Sequence, residues 1–581
     1  MSLYWLIKLV WPEKNRLAIA VGLCAVVYPG FQAQYSSMIF GIAFFIFSLF
    51  VLSLYFSVKN TANSNCKYFY LVISLIFSAI SLLTSEYFFI LELARYFLIW
   101  VYISKSDFKS KFYKFSLASL PYLALYLSTI IWRLAVEDSE TTYSFVLLEN
   151  LHASFLPTLI NQSIAILKDL WYTSVKVWLD AIYPAHLISQ QGQRIVIAHY
   201  SLIILLFTGI AYYLKNNTDF DNESDKFSSK TEIFFFGLMA LIFAGVPFWL
   251  AGLPVTEKYF YTRWTLPFII GSSIFTLHLL SLLFRKKLGF ILIVSALVSL
   301  GAGTQFLAGN SFRQDWNNQN LLYWELIWRI PSLKEDTVLF SDMLNFNYEN
   351  SDQLSSGINF SLSHRASESK IPYFLFFLPE RINTSILPEL NEDIPITGKR
   401  YYSAFRGNTS QALVIDFRPP VCLKILDPII DQDNPGLNPI VKQALFLSRP
   451  ELIDISDQNE HEPKTTAIIG AEPKREWCYY FEKADLASQF QDWESIRNLY
   501  EEVSDKKYQP RDVREWFPFI EGFSHLSKWQ EAAELSSLVI QDTNDLAPSL
   551  CTLWERIASN TPEDDDKQLV VSQIFNSLNC Q

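Results

Sequence analysis

Three ionisable residues lie in an otherwise apolar stretch of the chain, Ser85–Tyr96. A charge inside hydrocarbon costs at least a few kcal/mol, so each such residue needs a structural or functional reason. Glu92 and Arg95 are three residues apart and therefore share one face of a helix, where they can form an ion pair. This pair either locks its helix against a neighbour or belongs to a polar site that opens outward. Glu86 has no evident local partner, which favours a position at the mouth of such a site.

A second charged group lies in the segment Pro254–Pro267, where Lys258 and Arg263 stand among tyrosine and tryptophan residues. Two cations in these surroundings suit a phosphate or pyrophosphate group, because an arginine can donate two parallel hydrogen bonds to its oxygens. The alternative is an aromatic belt at the membrane interface, with the two cations reaching toward water.

A third segment, Ser163–Tyr183, is semi-amphipathic, with tryptophan and aliphatic residues interspersed with Lys168, Asp169, Lys176 and Asp180. Helices of this kind usually lie in the plane of the membrane interface. They can also roof a cavity that opens toward the bilayer.

The elements that position these residues are expected to be membrane spans. A transmembrane helix needs roughly 20 mostly apolar residues. Nine such runs occur before residue 308, near 17–33, 37–57, 68–84, 88–104, 115–133, 195–214, 231–252, 264–284 and 288–307. The sequence therefore predicts a helical polytopic membrane domain over 1–307.

The basic residues of this domain predict its orientation. Residues 1–307 contain 22 Lys and Arg, and 15 of them fall in five groups on one side when nine spans alternate. The positive-inside rule places that side, together with the N-terminus, in the cytoplasm. Everything after the ninth span is then expected outside the cytoplasm.

The remaining residues are polar and acidic and predict three further regions. Residues 308–430 suggest an α/β domain, with strand-like runs at 337–340, 373–378, 412–417 and 422–425. Residues 431–475 suggest a linker. Residues 476–581 suggest a helical domain similar to tetratricopeptide repeats, since 492–499 aligns with 528–535 at an offset close to that period. Four cysteines in these regions leave three disulfide pairings open.

Composition and motifs exclude several classes of function. Half of the 581 residues are hydrophobic and 16% are aromatic, which excludes a disordered chain. No dense basic patch carries aromatic platforms, so we expect no nucleic-acid partner. No phosphate-binding loop, dinucleotide fingerprint or metal-ligand motif is present. We therefore expect no cofactor, although the sequence leaves a divalent metal open.

Several segments together resemble a family of bacterial polytopic membrane proteins that is grouped with the GT-C glycosyltransferases, which use polyprenyl-phosphate sugars. The segments that carry the resemblance are Ser85–Tyr96, Arg263–Gly271, Trp328–Pro331, Trp477–Ala484, Pro518–Gly522 and Leu550–Ile557. The resemblance implies a GT-C-like membrane domain in the inner (plasma) membrane. It also implies transfer of a sugar, with inversion, from a polyprenyl-phosphate donor to an envelope glycan or lipid on the outer face.

The same resemblance suggests roles for the charged residues. Glu86 is the candidate general base for the acceptor hydroxyl, and Glu92, Arg95, Lys258 and Arg263 are candidate substrate-binding residues, the cations on the phosphate side. The chain departs from the family pattern at Gly30–Ser37, since this first outer loop contains no acidic residue. Either the chain start omits an upstream pair of spans, or the catalytic element of the family is absent.

Two hypotheses of different class follow. The first is the glycosyltransferase, with membrane lipids and a lipid-linked sugar as its partners. The second is a non-enzymatic membrane scaffold in envelope or polysaccharide assembly, which binds an envelope protein through its C-terminal helices. A transporter is disfavoured, because no inverted repeat or pair of broken helices is evident.

Overall fold

The chain forms two compact units, Met1–Phe312 and Arg313–Gln581, and is mostly helical. The computed structural model describes residues 1–36, 40–62, 66–103, 108–136, 147, 150, 152, 154–217, 227–256, 259–284, 286–343, 345–362, 370–400, 403–455, 469–542 and 544–580. The boundary between the two units lies five residues beyond the predicted end of the membrane domain at 307.

The described residues of the first unit form helices joined by turns and loops, with no strand among them. Its helices are α1 Ser2–Val10, α2 Asn15–Val26, α3 Ile42–Asn60, α4 Lys67–Thr84, α5 Ala94–Tyr102, α6 Phe108–Val136, α7 Phe155–Trp171, α8 Val177–Asp180, α9 Ala185–Ile188, α10 Gln193–Asn217, α11 Phe227–Leu250, α12 Tyr259–Thr262, α13 Phe268–Leu283 and α14 Lys287–Arg329. Residues of α14 beyond Phe312 belong to the second unit.

Six of the helices formed by the described residues are long and apolar enough to cross a membrane. They are α3, α4, α6, α10, α11 and α14, and they coincide with six of the nine predicted spans. Two further predicted spans correspond to shorter apolar helices, α2 and α13. The membrane character of the unit is therefore confirmed, whereas the count of nine spans and the orientation stay predictions.

The fourth predicted span, 88–104, is not one continuous helix. Two 3-10 turns, Glu86–Phe88 and Ile90–Leu93, precede α5, which has only nine residues. Two charged residues, Glu92 and Arg95, lie at this break and meet polar groups of other helices there.

Arg95 and Glu92 form a fully buried ion pair at this break. Arg95 Nε lies 2.5 Å from Glu92 Oε1, and Arg95 Nη2 lies 2.9 Å from Glu92 Oε2. The guanidinium also donates to the carbonyl oxygen of Ser53 on α3, at 3.0 Å, and contacts the hydroxyl of Ser74 on α4. Its carbon centre lies 4.5 Å from the ring centroid of Tyr122 on α6.

The carboxylate of the pair is satisfied as well, since Ser78 on α4 donates to Glu92 Oε1 at 3.0 Å. One ion pair thus connects α5 to α3, α4 and α6. This geometry supports a structural pair that holds its helix against its neighbours.

We expect Arg95→Met to destabilise the protein by about 3–5 kcal/mol, because it leaves the Glu92 carboxylate buried without its counter-charge. The measurement is thermal unfolding of the detergent-solubilised chain. The double variant Glu92→Leu/Arg95→Met should recover most of the loss, since it removes both charges. Equal stability of Arg95→Met and the parent chain would show that the pair does not hold α5 in place.

The second unit contains a small α/β layer. Its strands are β1 Ser332–Leu333, β2 Thr337–Ser341, β3 Tyr373–Phe377, β4 Pro395–Arg400, β5 Ser403–Asn408, β6 Ala412–Asp416, β7 Lys424–Ile425 and β8 Ile453–Asp454. The main sheet has the order β3-β2-β6-β7, in which β2 is parallel to β3 and β6, and β7 is antiparallel to β6. Its three parallel strands are wholly buried, as their continuous apolar runs require. All four predicted strand runs are found in this sheet.

The helices of the second unit are α15 Ser351–Leu362, α16 Leu378–Arg381, α17 Pro439–Ala444, α18 Trp477–Gln489, α19 Trp493–Asp505, α20 Phe517–His525, α21 Trp529–Asp542, α22 Ala547–Asn560 and α23 Asp565–Leu578. The last six pack around one apolar core. The stretch 431–475, which the sequence predicts to be a linker, contributes α17 and the buried residues Leu437, Val441 and Leu447 to the core beside the sheet.

The internal repeat of the sequence has a structural counterpart. Its two copies begin α19 and α21, and in both the residue two positions before the tryptophan has a positive φ: Gln491 at 60° and Ser527 at 58°. Each copy therefore ends one helix and begins the next with the same turn. The assignment to tetratricopeptide repeats stays a prediction.

Two disulfides cross-link the second unit. Cys422 next to β7 is joined to Cys478 on α18, and Cys551 on α22 is joined to Cys580 after α23. The structure thereby selects one of the three pairings that the sequence left open. Among the described cysteines, Cys24 and Cys66 of the first unit remain free thiols.

Glu482 on α18 is fully buried, and neither of its carboxylate oxygens has a hydrogen-bond partner. Burial, reinforced by the charges of Glu325 and Asp485, raises the pKa of Glu482 well above its ordinary value, whereas the charge of Arg329 lowers it. The folded state therefore holds a proton on this side chain at pH values where the unfolded chain has already released it.

The free energy of unfolding should fall as the pH rises above about 4.5, the usual range of a glutamate, until Glu482 also ionises in the folded state. We expect Glu482→Gln to weaken this pH dependence, so that the variant gains stability over the parent chain between pH 5 and pH 8. The measurement is thermal unfolding at several pH values, with Glu389→Gln as the exposed control. Parallel pH profiles of Glu482→Gln and the parent chain would contradict the assignment.

Candidate functional site

The first unit contains a cavity of about 540 Å³, which we call the α7 cavity. Its walls are α7, the π-helical turn Tyr172–Lys176 that follows it, the end of α11 and the segment 251–256. The volume is within the usual range for sites of small molecules. Two segments that the sequence analysis selected, 163–183 and 254–267, thus meet at one cavity.

Helix α7 has two opposite faces. On one face Gln162, Ala165 and Asp169 lie at helical spacing and line the cavity. The opposite face exposes large apolar side chains, namely Leu156, Ile160, Ile164, Leu167 and Trp171, although the Trp171 side chain also borders the cavity. The spacing of four, four, three and four residues places these five on one side of the helix. An exposed apolar face of this kind suits contact with lipid.

Asp169 supplies the carboxylate in the described wall of the cavity. The indole N–H of Trp249, near the end of α11, donates to Asp169 Oδ2 at 2.8 Å. Burial raises the pKa of Asp169 to about 6, and the hydrogen bond from Trp249 lowers it. At neutral pH the carboxylate is mostly ionised and is a stronger base than an exposed aspartate.

Two lysines line the same cavity. Lys168 precedes Asp169 in the chain and is exposed, whereas Lys176 forms an ion pair with Asp180 at 2.6 Å. The wall therefore combines one basic carboxylate with two cations. That combination can deprotonate a hydroxyl group and hold a negatively charged leaving group.

An apolar cluster beside the cavity draws on all three segments that the sequence selected. Phe248, Val255 and Trp264 are among its buried members, and Tyr87 and Tyr172 pack against it. Tyr87 meets Phe248 edge to face at 5.5 Å between ring centroids, and Trp264 lies 5.9 Å from the same ring. Residues adjacent in sequence to Glu86, Arg263 and Asp169 therefore pack in one apolar cluster.

Glu86, the candidate base from the sequence, is already paired. Arg133 Nη1 on α6 donates to Glu86 Oε1 at 2.7 Å, while Arg133 Nη2 donates to the carbonyl oxygen of Leu82. This partner could not be predicted from the sequence, because it lies 47 residues away on another helix. The described lining of the α7 cavity does not include Glu86, although the adjacent Tyr87 packs against the cluster beside it.

Of the two cations predicted in segment 254–267, the structure describes Arg263 but not Lys258. Arg263 lies with its guanidinium 5.4 Å from the ring centroid of Trp264, in the cluster beside the cavity. Lys258 lies outside the described residues. Thr256, two positions earlier in the chain, lines the cavity.

Glu92 and Arg95, the other predicted substrate-binding residues, form the buried pair described above, and the described lining of the α7 cavity does not include them. Within the described ranges of the chain, no group of three His, Cys, Asp or Glu residues could hold a metal ion.

Asp169 was not predicted as a candidate base from the sequence. The signal was present, since Gln162, Ala165, Asp169 and Tyr172 recur at the spacing of one helix face. The sequence does not show that Trp249, 80 residues away, supplies the hydrogen bond that orients the carboxylate.

The comparisons with known proteins add no relative. Neither family models, nor curated proteins, nor solved structures gave a match to this chain.

Proposed function

We propose that this chain is a membrane-embedded transferase that moves a sugar from a polyprenyl-phosphate donor to an envelope glycan or lipid on the outer face of a bacterial inner membrane. One observation carries the proposal: α7 presents an exposed apolar row on one side and, on the other, a cavity whose wall includes the Asp169 carboxylate and two lysines. A substrate with a lipid tail and a polar head group has the same two-sided character.

The dimensions of the cavity support a lipid-linked donor. About 540 Å³ accommodates a sugar with its phosphate but not a long isoprenoid chain. The isoprenoid tail of the donor would lie along the exposed apolar row of α7, where burial of each methylene contributes about 0.8 kcal/mol. The polar head would enter the cavity among Lys168, Asp169 and Lys176.

In the proposed reaction, Asp169 takes the proton of the acceptor hydroxyl as its oxygen forms a bond to the anomeric carbon of the sugar. The bond between that carbon and the phosphate oxygen breaks at the same time, and its electron pair stays on the phosphate. Lys168 and Lys176 stabilise the charge that develops there. We assign the base to Asp169 rather than Glu86, because Glu86 is held by Arg133.

The second unit supports the proposed location of the chain in a bacterial inner membrane. Its two disulfides suit an oxidising environment, such as the space outside a bacterial inner membrane. The resemblance on the segments quoted above points to the same membrane. The scaffold hypothesis, with an envelope protein bound to the C-terminal helices, is the alternative outcome of the experiments below.

We expect Asp169→Asn to lower the rate of sugar transfer by about 10²–10⁴-fold, because the amide cannot accept the acceptor proton. The amide oxygen can still accept the Trp249 hydrogen bond, so the fold should persist. The measurement is transfer of labelled sugar from a polyprenyl-phosphate donor by the purified chain. In the parent chain the rate should fall as the pH drops below about 6, where Asp169 becomes protonated.

Glu86→Gln is the matched control for this experiment. Full activity of Glu86→Gln would eliminate Glu86 as the base, and full activity of Asp169→Asn would eliminate Asp169. Loss of activity in Glu86→Gln alone would return the role to Glu86.

Lipid that copurifies with the chain gives a test that needs no known acceptor. We expect mass spectrometry of the purified protein to detect a polyprenyl phosphate or its sugar ester. Leu167→Glu, which places a charge in the exposed row of α7, should reduce its amount. Repeated absence of such a lipid, together with a bound envelope protein, would favour the scaffold.

A further inference from the structure

The second unit contains a smaller cavity of about 150 Å³, which we call the basic cavity. Four cationic side chains from four separate elements line it. Arg329 ends α14, Lys424 lies in β7, Arg514 lies in the 3-10 turn Val513–Trp516, and Arg556 lies on α22. The fold thus gathers four positive charges around one space.

Each of these cations has a carboxylate partner. Arg329 Nε lies 2.5 Å from Asp485, and Arg556 Nη2 lies 2.7 Å from Glu521. Arg514 and Lys424 share the carboxylate of Asp512, with Lys424 Nζ at 3.4 Å. The formal charge around the cavity is therefore largely balanced, and charge alone does not select a ligand.

Hydrogen bonding does select one. Four nitrogen atoms of the lining are buried and have no hydrogen-bond partner: Arg329 Nη1, Lys424 Nζ, Arg514 Nη1 and Arg556 Nε. All four are donors, and the described lining includes no buried oxygen in the same condition. The unmet demand of this cavity is therefore for acceptor atoms.

Lys424 is the most telling of the four. Its side chain is only 9% exposed, and its ammonium has no hydrogen bond although it lies near Asp512. Burial and the neighbouring Arg514 lower the pKa of Lys424. A buried donor without a hydrogen bond destabilises the folded state, and a bound acceptor would recover that loss.

We propose that the basic cavity binds a phosphate group, with oxygens that accept from Lys424, Arg329, Arg514 and Arg556. Donors that converge from four elements match a tetrahedral oxyanion better than a planar carboxylate, and arginine and lysine are the usual phosphate ligands in proteins. The cavity has room for the phosphate and a small part of its carrier. The proposal is independent of the transferase reaction at the α7 cavity.

The test is isothermal titration calorimetry, in which inorganic phosphate is added to the full-length chain in detergent. We expect saturable binding, and we expect Lys424→Met to raise the dissociation constant at least tenfold. Lys442→Met, on the exposed side of α17, is the matched control and should bind as the parent chain does. Arg556→Gln, whose side chain is partly exposed, is a second test variant that should also weaken binding.

Two results would overturn the proposal. One is the absence of saturable phosphate binding by the parent chain. The other is equal binding by the parent chain, Lys424→Met and Arg556→Gln, with each variant shown to be folded by its circular dichroism and thermal unfolding. Competition by glycerol phosphate would identify a soluble ester as carrier, and competition by a short polyprenyl phosphate alone would identify a lipid.

Discussion

The membrane unit depends on the requirement that a charge removed from water must find its partners within the protein. Arg95 meets this requirement through Glu92, Ser53, Ser74 and Ser78. The three serines stand on α3 and α4, so the guanidinium reaches all of them only when α5 packs against both helices. Two short 3-10 turns precede α5. They also carry Tyr87 to the apolar cluster beside the α7 cavity.

The need for partners within the protein also affects the carboxylate in the wall of the α7 cavity, but less strongly. Asp169 is partly removed from water, and among the described residues its side-chain donor is the indole of Trp249. Its carboxylate is therefore stabilised less completely than that of Glu92, and it keeps the capacity to accept a proton. Within the described residues, the Glu92 carboxylate is thus held by partners in the protein interior, whereas the Asp169 carboxylate borders the cavity that we propose to be the substrate site.

Much of the fold could be predicted from the sequence, because it depends on local composition and periodicity. Long apolar runs identify α3, α4, α6, α10, α11 and α14, and the apolar stretches 337–340, 373–378 and 412–417 identify the parallel strands. The site was predicted less well. The helix of Asp169 and the segment of Lys258 were recognised, but the partners Trp249 of Asp169 and Arg133 of Glu86 are distant in sequence. The linker over 431–475 was predicted from its polar composition, which concealed the apolar residues of α17.

The bond between Cys422 and Cys478 has a consequence for proteolysis of the second unit. It encloses the chain between β7 and α18, including the polar stretch that follows β8. A protease that cuts anywhere within this loop produces two fragments that remain covalently joined. The helices α18 to α23 would then stay attached to the sheet after a cut that would otherwise release them. The second unit therefore stays in one covalent piece even when this loop has been cleaved.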